Sequence, residues 1–164
     1  MTGFDDLLAS NRQFAESFDL AGFDGIAKAG VAMVTCMDSR IDPLGMIGLS
    51  PGDAKILRNP GGRVTERVLV AVVLGVTLLQ VKRVMIVQHT RCAMASASED
   101  ELHARIEERT GVDATWMELG AIDDQEASIR ADVHKVVSHP LVPSDIEVGG
   151  FVYDVDSGLL TPVV

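Results

Sequence analysis

The run Val31-Ala32-Met33-Val34-Thr35 shows no alternation of polar and apolar residues. A strand with one wet face alternates, so a run like this reads as a strand covered on both faces, as in a parallel sheet. Two further stretches, Ala54 to Leu57 and Arg83 to Gln88, also read as strands. Between and after them lie helical patterns. Thr65 with Glu66 opens an apolar helix to Gln80, Ser98 with Glu101 three later forms a capping box, and Gly111 is a natural stop for the helix that follows. Ile122, Ile129, Val133, Val136 and Val137 fall on one face of another helix, which Pro140 ends. Phe151 to Val155 reads as a last strand, with a turn at Asp156-Ser157-Gly158. Strands alternating with helices require right-handed crossovers. The expected fold is therefore α/β, a mostly parallel central sheet flanked by helices. Phe4, Leu7, Leu8, Asn11, Phe14 and Phe18 recur at helical spacing, so residues 1–25 are expected to form an N-terminal helical arm on a single domain spanning 1–164.

In a parallel sheet the chemistry collects outside the carboxyl ends of the strands. The first strand runs into Cys36-Met37-Asp38-Ser39-Arg40, the second into Arg58-Asn59-Pro60-Gly61-Gly62, and the third into His89-Thr90-Arg91-Cys92. Cys36 and Cys92 are the only cysteines. Two thiols and one imidazole are soft ligands suited to zinc, and three protein ligands with a free fourth position mark a catalytic ion. Water on such an ion has its pKa lowered towards neutrality, which makes a hydroxide nucleophile. Asp38 could orient that nucleophile by accepting its hydrogen bond, and Arg40 could hold the carboxylate with its two-pronged guanidinium. A local salt bridge between Asp38 and Arg40 is the plainer reading. A Cys36–Cys92 disulfide is the other use of the thiols, but without an export signal they are expected to stay reduced. The glycine-rich 58–62 run is read as backbone that must pass close to the site; a phosphate cradle would need signature residues that are absent.

Composition narrows the rest. The net charge of −10 disfavours nucleic-acid backbones and anionic membranes as partners. Met1-Thr2-Gly3-Phe4-Asp5-Asp6 lacks the pattern of a signal peptide, and the apolar run from Val68 to Leu79 is too short to span a bilayer. A cytoplasmic protein is expected. With only 4 % aromatic residues, the methionines are read as core filler, Trp116 as a packing residue, and His103, His134 and His139 as structural.

Taken jointly, Cys36-Met37-Asp38-Ser39-Arg40, Arg58-Asn59-Pro60-Gly61-Gly62 and His89-Thr90-Arg91-Cys92 resemble the β-class carbonic anhydrases, in the right order and over roughly residues 30–155. The resemblance implies zinc on Cys36, His89 and Cys92, and an Asp38–Arg40 dyad beside it. It implies reversible hydration of carbon dioxide to bicarbonate and a proton. It further implies a homodimer or dimer of dimers, with the site near the interface and the N-terminal helix embracing the partner. In some members the aspartate leaves the dyad and takes the fourth zinc position at low pH. Three positions depart from the family pattern: Arg91, where Asp or Asn is usual, Ala93, where Gly is usual, and, more mildly, Pro60, where a small residue such as alanine is frequent. A carbon disulfide or carbonyl sulfide hydrolase on the same scaffold, and a non-catalytic zinc-binding homologue, are the competing readings.

Overall fold

A computed structural model of the chain describes residues 3–164; Met1 and Thr2 of the expected arm lie outside the described residues. The elements run α1 (Asp5–Glu16), β1 (Val31–Cys36), β2 (Ala54–Asn59), α2 (Glu66–Leu78), β3 (Arg83–His89), α3 (Glu99–Thr110), α4 (Gln125–Val137), β4 (Glu147–Tyr153) and β5 (Leu160–Pro162). Short 3-10 turns sit at Gly45–Ile47, Pro60–Gly62 and Ala93–Ala95. The sheet has the order β2-β1-β3-β4-β5, parallel except for the final antiparallel pair.

β1 lies in the interior of the sheet and all six of its residues are buried, as its unbroken apolar run requires. Ala32 and Val34 of β1 and Val84 and Ile86 of β3 meet Val72 and Val76 of α2 and Ile129, Val133 and Val136 of α4 in the main core. Thr65 caps α2 by accepting from the Val68 N–H, and the capping box at Ser98 and Glu101 closes the start of α3.

Several expectations change here. Ile122 is not on the helix: α4 begins at Gln125 behind an Asp124 cap, and Ile122 is buried in the preceding loop. β5 went unread because it is only three residues long and carries Pro162, which an edge strand tolerates. Val70, Leu74 and Leu78 leave one side of α2 exposed, so that helix is covered on one face only. Trp116 is 75 % exposed; its indole N–H donates to the Asp113 carbonyl and packs on no core. Of the methionines, Met33 is fully buried, whereas Met37 and Met117 are exposed. Helix α1 buries none of its residues against its own chain. No described helix is long and apolar enough to cross a membrane.

The loop between α3 and α4 is fastened by two α3 side chains, the half-buried Glu99 and the buried His103. The carboxylate of Glu99 accepts the backbone N–H groups of Leu119 and Ala121, and His103 Nε2 lies 2.7 Å from the Met117 carbonyl. Those N–H donors favour the ionised form and hold Glu99 below the usual glutamate range. A carboxylate with a depressed pKa stabilises the fold above its unfolded pKa, and that contribution vanishes as pH falls through the depressed value. Glu99→Gln is therefore expected to melt below the parent at neutral pH, with the gap closing as pH falls below the usual glutamate range. Thermal melts across that range check this, and an unchanged gap would contradict it.

Candidate metal centre

β1 and β3 are adjacent and parallel, so their carboxyl ends open on the same edge of the sheet. Cys36 is the last residue of β1, His89 the last of β3, and a tight turn brings Cys92 back beside them. The Cys36 and Cys92 Sγ atoms are 4.0 Å apart, and one ligand atom from each of Cys36, His89 and Cys92 lies within 4.8 Å of the others. A tetrahedral zinc with Zn–S of about 2.3 Å sets two sulfurs roughly 3.8 Å apart. The spacing therefore fits that ion. All three residues are buried.

The imidazole is prepared for the role. His89 Nδ1 lies 2.9 Å from the Thr90 carbonyl, so Nδ1 carries the proton and Nε2 presents a lone pair. Nε2 is buried with no hydrogen-bond partner. Such an orphan is costly unless something binds it. Burial also holds the His89 pKa below its ordinary value, so the ring is neutral. The same burial, with Cys36 alongside, pushes the Cys92 thiol up. An arriving cation displaces thiol protons and removes that penalty. The donor set and its surroundings fit zinc.

Asp38 stands beside the cluster without joining it: its Oδ2 is 3.9 Å from His89 Nε2. Arg40 grips the carboxylate from three donors, its backbone N–H and Nε at 2.9 Å on Oδ1 and its Nη2 at 2.7 Å on Oδ2. These bonds hold Asp38 far below the usual carboxylate range, ionised at any pH of interest. Arg58 fixes the same backbone, its Nε donating to the Cys36 carbonyl at 2.9 Å and its Nη2 to that of Asp38 at 2.6 Å. Gly62 passes close to the strand ends, as the sequence suggested. A Cβ there would lie 2.8 Å from the Val87 carbonyl oxygen and 3.0 Å from Cys36 N.

Other contributors were not legible in sequence. Gln125 Nε2 donates to the His89 carbonyl at 3.0 Å. The β4–β5 turn grips Thr90: the Thr90 N–H donates to the Tyr153 carbonyl, and the Val155 N–H donates to Thr90 Oγ1. Ile41, Met46, Met94 and Tyr153 pack around the two cysteines as an apolar surround. Ala93 starts a 3-10 turn and does not occupy positive φ, so glycine's freedom is not needed there. The left-handed residue is Arg91, with φ 54°.

Residues 31–160 match the protein family described as carbonic anhydrase. Over 99 % of both chains, the protein is 32 % identical to "Beta-carbonic anhydrase 1" of Mycobacterium tuberculosis. The chain belongs to the β-carbonic anhydrase family. The solved carbonic anhydrase of Streptococcus mutans shares the fold with a TM-score of 0.90 and 34 % identity, over 100 % of this chain and 99 % of that one. A carbon disulfide hydrolase of Acidithiobacillus thiooxidans is 29 % identical, over 83 % of this chain and 73 % of its own. β-Carbonic anhydrases are zinc enzymes, so an enzyme of this type, with zinc as its metal, is what the family assigns to the chain.

Proposed function

We propose that the protein hydrates carbon dioxide reversibly to bicarbonate and a proton, with Cys36, His89 and Cys92 holding zinc and Asp38 and Arg40 acting beside it. The observation that carries this reading is the pairing of a buried three-ligand cluster with a carboxylate held next to it but off it. Bound zinc supplies a Lewis acid that lowers the pKa of water towards neutrality. Asp38, kept ionised by Arg40, accepts a hydrogen bond from the attacking water and fixes the direction of its lone pair. Arg40 holds that carboxylate in place, and Arg58 holds the backbone of residues 36–38 on which both depend. Ile41, Met46, Met94 and Tyr153 give an uncharged linear substrate an apolar wall, which charged bicarbonate is poorly solvated by and leaves.

Stopped-flow hydration by the zinc-loaded chain tests the reaction. Asp38→Ala tests the dyad: kcat should fall by about 10²-fold or more, the usual scale for a positioned proton-handling group, while zinc content stays stoichiometric. Full activity in that variant removes the role given to Asp38. Carbon disulfide hydrolysis is the second reading, favoured by the likeness to the Acidithiobacillus enzyme. Turnover of carbon disulfide with none of carbon dioxide would select it.

The protein also fits a homodimer or a dimer of dimers. Phe4, Leu7, Leu8 and Phe14 along α1, with Val70, Leu74 and Leu78 on α2, are exposed apolar side chains that a second copy would cover. Sedimentation at micromolar concentration is expected to give at least a dimer mass; a monomer sinks this part. A chemistry that needs both thiols reduced suits the cytoplasm.

A further inference from the structure

Arg91 lies between two of the cluster residues, His89 and Cys92, and adopts a left-handed backbone at φ 54°. Among the described non-glycine residues only Gln80 shares a positive φ. An L-residue with a long side chain avoids this region, whereas Asn and Gly enter it readily. Something must hold Arg91 there. Its Nη2 meets Asp156 Oδ1 at 2.5 Å. Asp156 belongs to the β4–β5 turn, which is itself set by Asp154 Oδ1 accepting from the backbone N–H groups of Asp156 and Ser157.

The conformation has a consequence at the site. The Arg91 carbonyl accepts a hydrogen bond from Arg40 Nη2 at 3.3 Å, and that same Nη2 donates to Asp38 Oδ2 at 2.7 Å. One nitrogen of the guanidinium that positions Asp38 thus bridges the carboxylate and the Arg91 carbonyl. Rotating residue 91 out of the left-handed region swings its carbonyl away and frees Arg40.

We propose that Arg91 is a positioning residue: its ion pair with Asp156 holds residue 91 left-handed, and the carbonyl aimed by that conformation fixes Arg40 on Asp38. The proposal rests on the zinc and dyad reading above. Arg91 and Asp156 are both exposed, and exposed ion pairs add little to stability. The pair here selects one backbone conformation, so its effect falls on the site and leaves the melting temperature almost unmoved.

The test uses zinc-loaded protein and two readouts, kcat/KM for carbon dioxide hydration and the rate at which a chelator strips zinc. Asp156→Ala and Arg91→Ala should each lower kcat/KM about tenfold, the rate equivalent of about 1.4 kcal/mol. Each should also speed zinc loss, because the loosened loop leads directly from His89 to Cys92. The double variant should be no worse than either single one, since both cut the same tie. Arg91→Asn in the Asp156→Ala background should recover most of both readouts, because Asn holds the left-handed conformation without the ion pair. Equal behaviour of Arg91→Ala and Arg91→Asn, or an Asp156→Ala variant that matches the parent in both readouts, overturns the proposal. Zinc stripping needs no substrate. A parent chain that holds zinc and hydrates nothing therefore sinks the carbon dioxide reading, while the stripping pattern still decides this one. A parent that binds no zinc overturns both.

Discussion

Cys92→Ser is expected to abolish stoichiometric zinc binding, and hydration with it. Cys92 is buried, and its sulfur stands 4.0 Å from that of Cys36, at the separation a shared tetrahedral ion imposes. Serine keeps the shape of the side chain but offers a hydroxyl that does not ionise near neutrality, so one of two soft anionic donors is lost. Three protein ligands leave no redundancy to absorb the loss. Metal analysis after dialysis against a chelator should find about one zinc per parent chain and close to none in the variant. A variant that retains stoichiometric zinc would remove Cys92 from the ligand set and leave the orphaned His89 Nε2 without its explanation.

Gly62→Ala should be nearly as damaging through geometry alone. The three nearest atoms to an added Cβ are all backbone: the Val87 oxygen at 2.8 Å, and Cys36 N and Thr35 C at 3.0 Å. None can rotate away, and φ is +66°. The left-handed cost for alanine and the overpacking cost together come to about 2–5 kcal/mol. Because the clash wedges the end of β1 from that of β3, it should also weaken zinc binding. Gly111→Ala is the matched control: its φ is +70° and a Cβ there meets nothing within 4 Å. Urea unfolding should show a clearly larger loss at position 62 than at position 111. Equal losses would mean that the close approach carries no weight.

The comparison of these two glycines shows what a sequence can and cannot reveal. That Gly62 lay in backbone pressed against the site was legible, because it followed a strand end in a run of small residues. The strands themselves were legible for a similar reason: burial on both faces erases alternation, and Val31–Thr35 kept none. The candidate ligands followed, since a parallel sheet gathers strand ends at one edge and Cys36, His89 and Cys92 do meet there. Less visible was everything that works through main-chain carbonyls. Thr90 orients His89 by its carbonyl, Gln125 holds the His89 carbonyl, and the β4–β5 turn fastens Thr90. The last of these depends on the register of β3 with β4 and the second on where α4 begins, neither of which a residue type announces. Ile122 was misplaced onto a helix because its spacing from Ile129 was compatible with one face, whereas its burial is against Gly61. Trp116 was expected to pack because large aromatic rings usually do, yet a hydrogen bond to its own loop satisfies it in solvent.

The apolar faces of α1 and α2, exposed in the single chain, set the colloidal behaviour of any copy that has not paired. With 24 acidic and 14 basic side chains, copies repel one another at neutral pH, and that repulsion limits sticky encounters between exposed Phe, Leu and Val residues to ordered ones. As acid neutralises the carboxylates, the repulsion fades before Asp38 itself is protonated, because Arg40 holds that group far lower than the rest. Acidification is therefore expected to bring flocculation of unpaired copies ahead of any titration at the dyad. Light scattering recorded beside each acid-limb rate separates protein leaving solution from protein losing its chemistry.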